Sequence, residues 1–269
     1  MEAPPLKTWH SSTGYNGSYN AGYDFGGACG HAEVEVVFRN HSNRLIRLID
    51  SRTSGFIFCA VAWFTNYSIL DALAKAVRRG VFVAVVVQKE DFLRPDGCSP
   101  PSYFKKTIRR KYDALGKVEM MDKGHLIIAH YATDAIGDDF NGCIEDHELG
   151  KSFVPVVRCV GNHNSDKSPS FSRMHHKFFV FGDINLKQDL FEIHCLDDFP
   201  GYEDPQARKV WTGSFNASKA ACYSFENAVI IDSDEAATKY AQEFALMFMI
   251  SEPLDWTNDW ISPSFTYMT

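Results

Sequence analysis

Long apolar runs are missing from this chain. The longest, Phe56 to Phe64, falls far short of the ~20 residues that cross a bilayer, so no membrane span is expected. The opening residues, Met1-Glu-Ala-Pro-Pro, lack the basic-then-apolar layout of a secretory signal, which fits a cytoplasmic protein. The 7 cysteines include no C-x-x-C pair and are odd in number. That argues against a disulfide framework and for a reducing compartment. Positive charge is also scarce. With 27 Lys and Arg against 34 Asp and Glu, the formal net charge is -7, which excludes coating nucleic acid by overall charge and leaves room only for a local basic patch. There is no internal repeat, and a His-x-Lys motif occurs once, at His175 and Lys177.

What is present suffices for a packed core: 45% of the 269 residues are hydrophobic, enough for one large α/β domain or two small ones. Residues 1–31 scatter glycines among Ser, Asn and Tyr without apolar periodicity and read as an irregular arm. Alternation begins at Glu33-Val-Glu-Val-Val-Phe38, a first strand, and Leu45, Ile46 and Ile49 suggest a helix ending before Gly55. A buried strand from Phe56 to Phe64 leads to a helix that Ser68 would cap, with Ile69, Leu70, Leu73, Ala74 and Val77 at helical spacing and Gly80 just past its end. Val81 to Val87 is apolar almost throughout, as in a strand covered on both faces, so a right-handed β-α-β crossover follows.

Asp91 to Pro101 reads as a loop. Beyond it, Phe104, Ile108, Tyr112 and Leu115 mark the apolar stripe of a basic amphipathic helix, whose Lys105, Lys106, Arg109 and Arg110 are candidate substrate contacts. From Asp122 to Ser170 the pattern weakens, with Leu126-Ile-Ile128 and Val154 to Val160 as candidate strands. An acidic stretch between Asp183 and Lys209 should lie near the rim of the site. Asp232 with Glu235 reads as a capping box for a last helix. Residues 253–269 read as an irregular extension of a domain spanning 32–252.

Two segments carry chemistry. In Arg173-Met-His-His-Lys-Phe-Phe-Val-Phe-Gly-Asp183 an extended strand puts His175 and Lys177 on one face and His176 and Phe178 on the other. A nucleophile and a cation would then meet one anionic substrate. In Trp211-Thr-Gly-Ser-Phe-Asn-Ala-Ser218 the same alternation groups Thr212, Ser214 and Asn216 opposite Trp211 and Phe215, presenting small polar donors from an aromatic-backed strand. A competing chemical reading is zinc bound by Cys159, His163 and His175 or His176. Neither ligand pair has a familiar closed-site spacing, and Lys177 would repel a cation, so no metal is expected.

His175-His-Lys177, Gly213-Ser-Phe-Asn216 and Glu226 together resemble the phospholipase D superfamily, with its His-x-Lys-x4-Asp, Gly-Ser-x-x-Asn and following glutamate. The strand-helix-strand unit from Phe56 to Gln88 resembles that family's opening. The resemblance implies a single α/β domain, a phospholipase D-like mixed sheet flanked by helices on both faces. It also implies a metal-independent phosphodiesterase without cofactors, in which His175 is the nucleophile, Glu226 holds its other nitrogen, and Lys177, Ser214 and Asn216 bind the phosphoryl oxygens. With one motif per chain, it implies an isologous homodimer in which the second His175 acts as acid. Among substrates, DNA or RNA is favoured, with an endonuclease as the expected activity; a phospholipid, or a catalytically impaired binding protein, is the alternative. The family aspartate falls at Gly182, whereas this chain has Asp183. Either a bulge at Gly182 re-aims Asp183 or the buttressing acid is absent.

Overall fold

A computed structural model describes residues 30–95, 101–119, 123–136, 153–161, 173–184, 205–254 and 256–257. Its elements run β1 Glu33–Val37, α1 His41–Asp50, β2 Phe56–Val61, α2 Tyr67–Arg78, β3 Phe82–Gln88, α3 Tyr103–Asp113, β4 Lys117–Glu119, α4 Lys123–Ile136, β5 Phe153–Pro155 and β6 Val157–Val160. After them come β7 Lys177–Asp183, β8 Gln206–Gly213, β9 Ala228–Asp232, α5 Asp234–Ile250 and β10 Glu252–Pro253. Short 3-10 turns occupy Asp91–Leu93 and Ala220–Tyr223.

The two longest β-branched and apolar runs build the middle of one mixed sheet. Its strand order is β1-β9-β8-β7-β2-β3-β6-β10. β2, β3 and β6 are parallel, and β7, β8, β9, β1 and β10 join antiparallel. Every residue of β2 is fully buried, because helices cover both of its faces. On one face Phe244 of α5 stacks on Phe58 at 4.4 Å, and Tyr131 of α4 meets the same ring edge-on. On the other, Phe64 packs edge-on against Phe179 and Tyr112, joining the exit of β2 to β7 and α3.

Local signals explain the helix ends, with corrections. α2 is capped by Asn66, whose side chain accepts from the amides of Ser68 and Ile69, and not by Ser68. α5 is capped by Ser233 through the Ala236 amide, and not by Asp232. Leu126 to Ile128 is helical, inside α4, and not a strand. The expected strand at Val154 to Val160 is split at Val156 into β5 and β6, which pair with different partners. After α5 the chain adds β10 to the sheet edge, and Trp256 stacks on Tyr112 and donates to Asp113. Residues 1–29 and 185–204, which hold most of the glycine-rich arm and of the acidic stretch, lie outside the described residues.

Candidate active site

β7 runs antiparallel between β2 and β8, so its first residue lies at the end of the sheet where β2 and β8 finish. Lys177 pairs with Val61, and its neighbour Phe178 pairs with Thr212. The segment before Lys177 is pinned from two sides. The amide of Ala62 donates to the carbonyl of His176 at 3.0 Å. Gln88, fully buried at the end of β3, accepts from the Met174 amide at 2.7 Å and donates to the Lys89 carbonyl at 3.0 Å. The backbone on either side of His175 is therefore fixed while its side chain stays exposed.

His175 and Lys177 share one side, as the alternation requires. The imidazole meets the half-buried Trp63 edge-on, with centroids 5.6 Å apart, and the Lys177 ammonium sits 5.9 Å from the same indole. Trp63 is held by a 2.6 Å bond from Nε1 to Glu90. Lys177 donates to the His175 carbonyl at 2.6 Å, which ties its ammonium to the backbone that carries the imidazole. On the opposite side His176 lies 3.2 Å from Glu243 of α5 and contacts Phe178. Trp63, Glu90 and Gln88 were not candidates from sequence. Only the place of Trp63 just past an apolar strand could have pointed to it.

β8 and the loops after it supply the polar wall. Trp211 and Phe215 are buried against His41 of α1, with Phe215 stacked on it at 5.1 Å. Ser214 is turned to the open side, donates from Oγ to Glu226 and receives the Asn227 amide at 3.0 Å. Gly213 permits this close approach, since a Cβ there would lie 2.2 Å from the Asn227 carbonyl. Asn216 retains a buried side-chain oxygen with no partner among the described residues, a state usually completed by a ligand, a water or a second surface. Glu226 is thus bound by Ser214, and neither His175 ring nitrogen has a hydrogen-bond partner among the described residues.

The electrostatics at this sheet end are unbalanced. Burial lowers the pKa of His175, and the charges of Lys177, Arg173 and His176 push it further down. Burial also lowers Lys177, against the opposing field of Glu226. The imidazole is held neutral at neutral pH, and a partly desolvated ammonium lies beside it.

The profile of the family described as "Cardiolipin synthase, PLD-like domain" matches residues 45–248, which include every residue of this cluster. The chain belongs to the phospholipase D superfamily. It is 27% identical over 227 residues to "Uncharacterized protein L381" of Acanthamoeba polyphaga mimivirus, covering 83% of this chain and 68% of that protein. Among solved structures it is similar to Nuc from Salmonella typhimurium, at 17% identity and a TM-score of 0.45, over 83% of this chain and 98% of that one. It is also similar to NucT from Helicobacter pylori, at 15% identity and a TM-score of 0.43, over 83% and 99% of the two chains. As a member of the phospholipase D superfamily, a family of phosphodiesterases, the chain has the mixed sheet with helices on both faces that the resemblance implied.

Against the superfamily pattern, the displaced aspartate now has a physical reason. A Cβ at Gly182 would lie 2.2 Å from the Phe56 ring, so no aspartate fits there. The β7–β8 register shifts between Phe181 and Gly182, with Arg208 as the extra residue on β8. Asp183 pairs with Arg52 and, at 3.2 Å, with Arg208. It lies six residue steps along the strand from Lys177, roughly 20 Å, so it does not join the His175 cluster. The basic helix is also partly engaged elsewhere. Lys105 bonds the Pro95 carbonyl, and Arg109 stacks on Trp256, while Lys106 and Arg110 are exposed. In the zinc alternative, Cys159 is fully buried in β6 and His163 lies outside the described residues.

Proposed function

We propose that this protein is a metal-independent nuclease that cleaves DNA or RNA through a phosphohistidine on His175, at a site completed by a second copy of the chain. The observation that carries this reading is the convergence of an exposed, neutral imidazole, a half-desolvated ammonium and the Ser214–Glu226 pair at one sheet end. An imidazole nitrogen with a free lone pair attacks phosphorus, the bond to the leaving oxygen breaks, and charge gathers on the non-bridging oxygens. In this reading Lys177, Ser214 and Asn216 meet that charge as donors. A single cluster has no second imidazole to protonate the leaving oxygen, so His175 of a second copy, converted to imidazolium by a proton from solvent as the phosphate's negative charge enters the shared site, gives that proton and later takes one from water. Exposed Arg173, close to the buried ammonium of Lys177, suits a polyanionic backbone.

A phospholipid is the second reading, favoured by Val34 and Val36, exposed on β1, and Phe38, exposed just past its end. Labelled DNA, RNA and phospholipid vesicles assayed in EDTA separate the two: polymer cleavage is expected, and turnover on vesicles alone would replace the nuclease reading. Rapid acid-free quench should capture a phosphorylated His175, and sedimentation should show a dimer. Equal cleavage by wild type and His175→Ala would remove His175 as the nucleophile, and none by either would leave a binding protein on this scaffold.

A further inference from the structure

The end of the sheet that holds the cluster extends sideways to β1. Val37 pairs with Ala228, and Ala228 with Gly213. Adjacent strands are ~4.8 Å apart, so the three steps from β7 to β1 span roughly 14 Å. Along that edge three large rings are left in solvent: Tyr223 is 84% exposed, Phe225 94% and Phe38 60%. Phe225 is the residue before Glu226, and its ring carries the Arg39 guanidinium 5.6 Å from the centroid.

Past Arg39, the cleft between β1 and α1 has a volume of about 400 Å³, and its lining includes Asn40, Asn43, Arg44 and Arg47. Asn40 takes the left-handed conformation, φ 56°, at the sharp turn that joins its two walls. Arg44 is paired with Glu35. Arg39 and Arg47 are exposed and have no carboxylate partner among the described residues. In a chain of net charge -7, two unpaired arginines beside three exposed rings reverse the overall charge locally. Exposed apolar surface of this kind marks a binding surface, and the arginines fix its chemistry as anionic.

We infer that this edge is a track for single-stranded nucleic acid. Unpaired bases stack on Phe225 and Tyr223, while Arg39 and Arg47 hold the phosphates, so that the strand leads across Glu226 to His175. Stacking needs a base with an open face, which a duplex does not offer, and the flat arginine fork matches phosphate oxygens. This rests on the nuclease reading and adds to it the substrate class.

The test is fluorescence anisotropy on full-length protein carrying His175→Ala, so that nothing is consumed, with a short labelled single strand and its duplex. The single strand should bind more tightly. Phe225→Ala and Tyr223→Ala should each weaken it roughly tenfold, with Phe225→Tyr close to the parent. Arg39→Ala and Arg47→Ala should each flatten the slope of log K against log salt by about 0.7. Lys106→Ala with Arg110→Ala, on α3, should change neither.

Groove variants that bind like the parent, or a loss confined to the α3 variants, would overturn the track. So would a Phe225→Ala effect seen only as dimer dissociation in sedimentation, or only as lost binding to phosphatidylserine vesicles. The two readings fail separately. A single strand bound through the track yet left intact by wild type sinks the nuclease but not the track. Cleavage by wild type that is unchanged in the groove variants does the reverse.

Discussion

The two ends of β7 treat charge in opposite ways. At Asp183 burial pushes the carboxyl up, but hydrogen bonds and charge from Arg52, then Arg208, outweigh it and hold the group below the ordinary carboxylate range. Arg208 in turn pairs with Asp234, so each charge there has an opposite. Burial pushes both Lys177 and His175 down, and the charges of Lys177, Arg173 and His176 push His175 further, while the nearby carboxylate, Glu226, is engaged by Ser214. One end is a closed structural network. The other is held short of balance, which is the condition an anionic substrate would complete.

The sharpest way to break that contrast is His175→Ala. Cleavage should fall at least about 10³-fold, with the urea midpoint near wild type because the ring is exposed. The pH dependence carries a sign. Folding lowers the His175 pKa, so the unfolded chain binds more protons and stability falls as pH drops through the ordinary imidazole range; the alanine variant lacks that component. In wild type, the acid limb of kcat/KM should lie below the ordinary imidazole value. Lys177→Met comes next: cleavage should fall about 10²- to 10³-fold while the urea midpoint rises, since a desolvated charge is replaced by an apolar chain. A lowered midpoint would mean that Lys177 is a structural ion like Asp183.

Gln88→Leu should act on both quantities. It leaves the buried Met174 amide unpaired, at about 1–3 kcal/mol, and loosens the backbone beside His175, lowering kcat more than it changes KM, by roughly tenfold or more. The smallest effect belongs to Asp183→Asn. Stability should drop by about 1 kcal/mol, discounted for solvent screening of a part-exposed pair, with turnover per folded molecule unchanged. In wild type that contribution is present above the ordinary carboxylate pKa and lost as pH falls through the folded value, so the variant should show a shallower acid transition. A loss of turnover beyond the folded fraction would place Asp183 in the site after all.

How far these features could be read from sequence depended on range. β2 and β3 were legible because a run buried on both faces is apolar whatever its partner. Leu126 to Ile128 was not, since a short apolar triplet fits a strand or a buried helix turn equally well. Ser68 was mistaken for the cap because Asn66, two residues earlier, offers the same acceptor, and only the backbone turn decides between them. His175, Lys177, Ser214 and Glu226 were legible as a spaced pattern. The Gln88 clamp and the Trp63–Glu90 brace were not, because each depends on a partner 27 to 86 residues away. Lys105 and Arg109 looked free on a helical wheel, yet they turn toward carbonyls and an indole that the wheel cannot show.

Among the described residues β1 has a neighbouring strand on one side only. Its outer row of amides and carbonyls, with Val34 and Val36 exposed, is a template on which another extended chain could grow a fibre. Glu33 and Glu35 are the gatekeepers of that rim, since two copies meeting edge to edge would bring like charges together. High salt, which screens those carboxylates, should therefore be the condition under which concentrated samples begin to thicken.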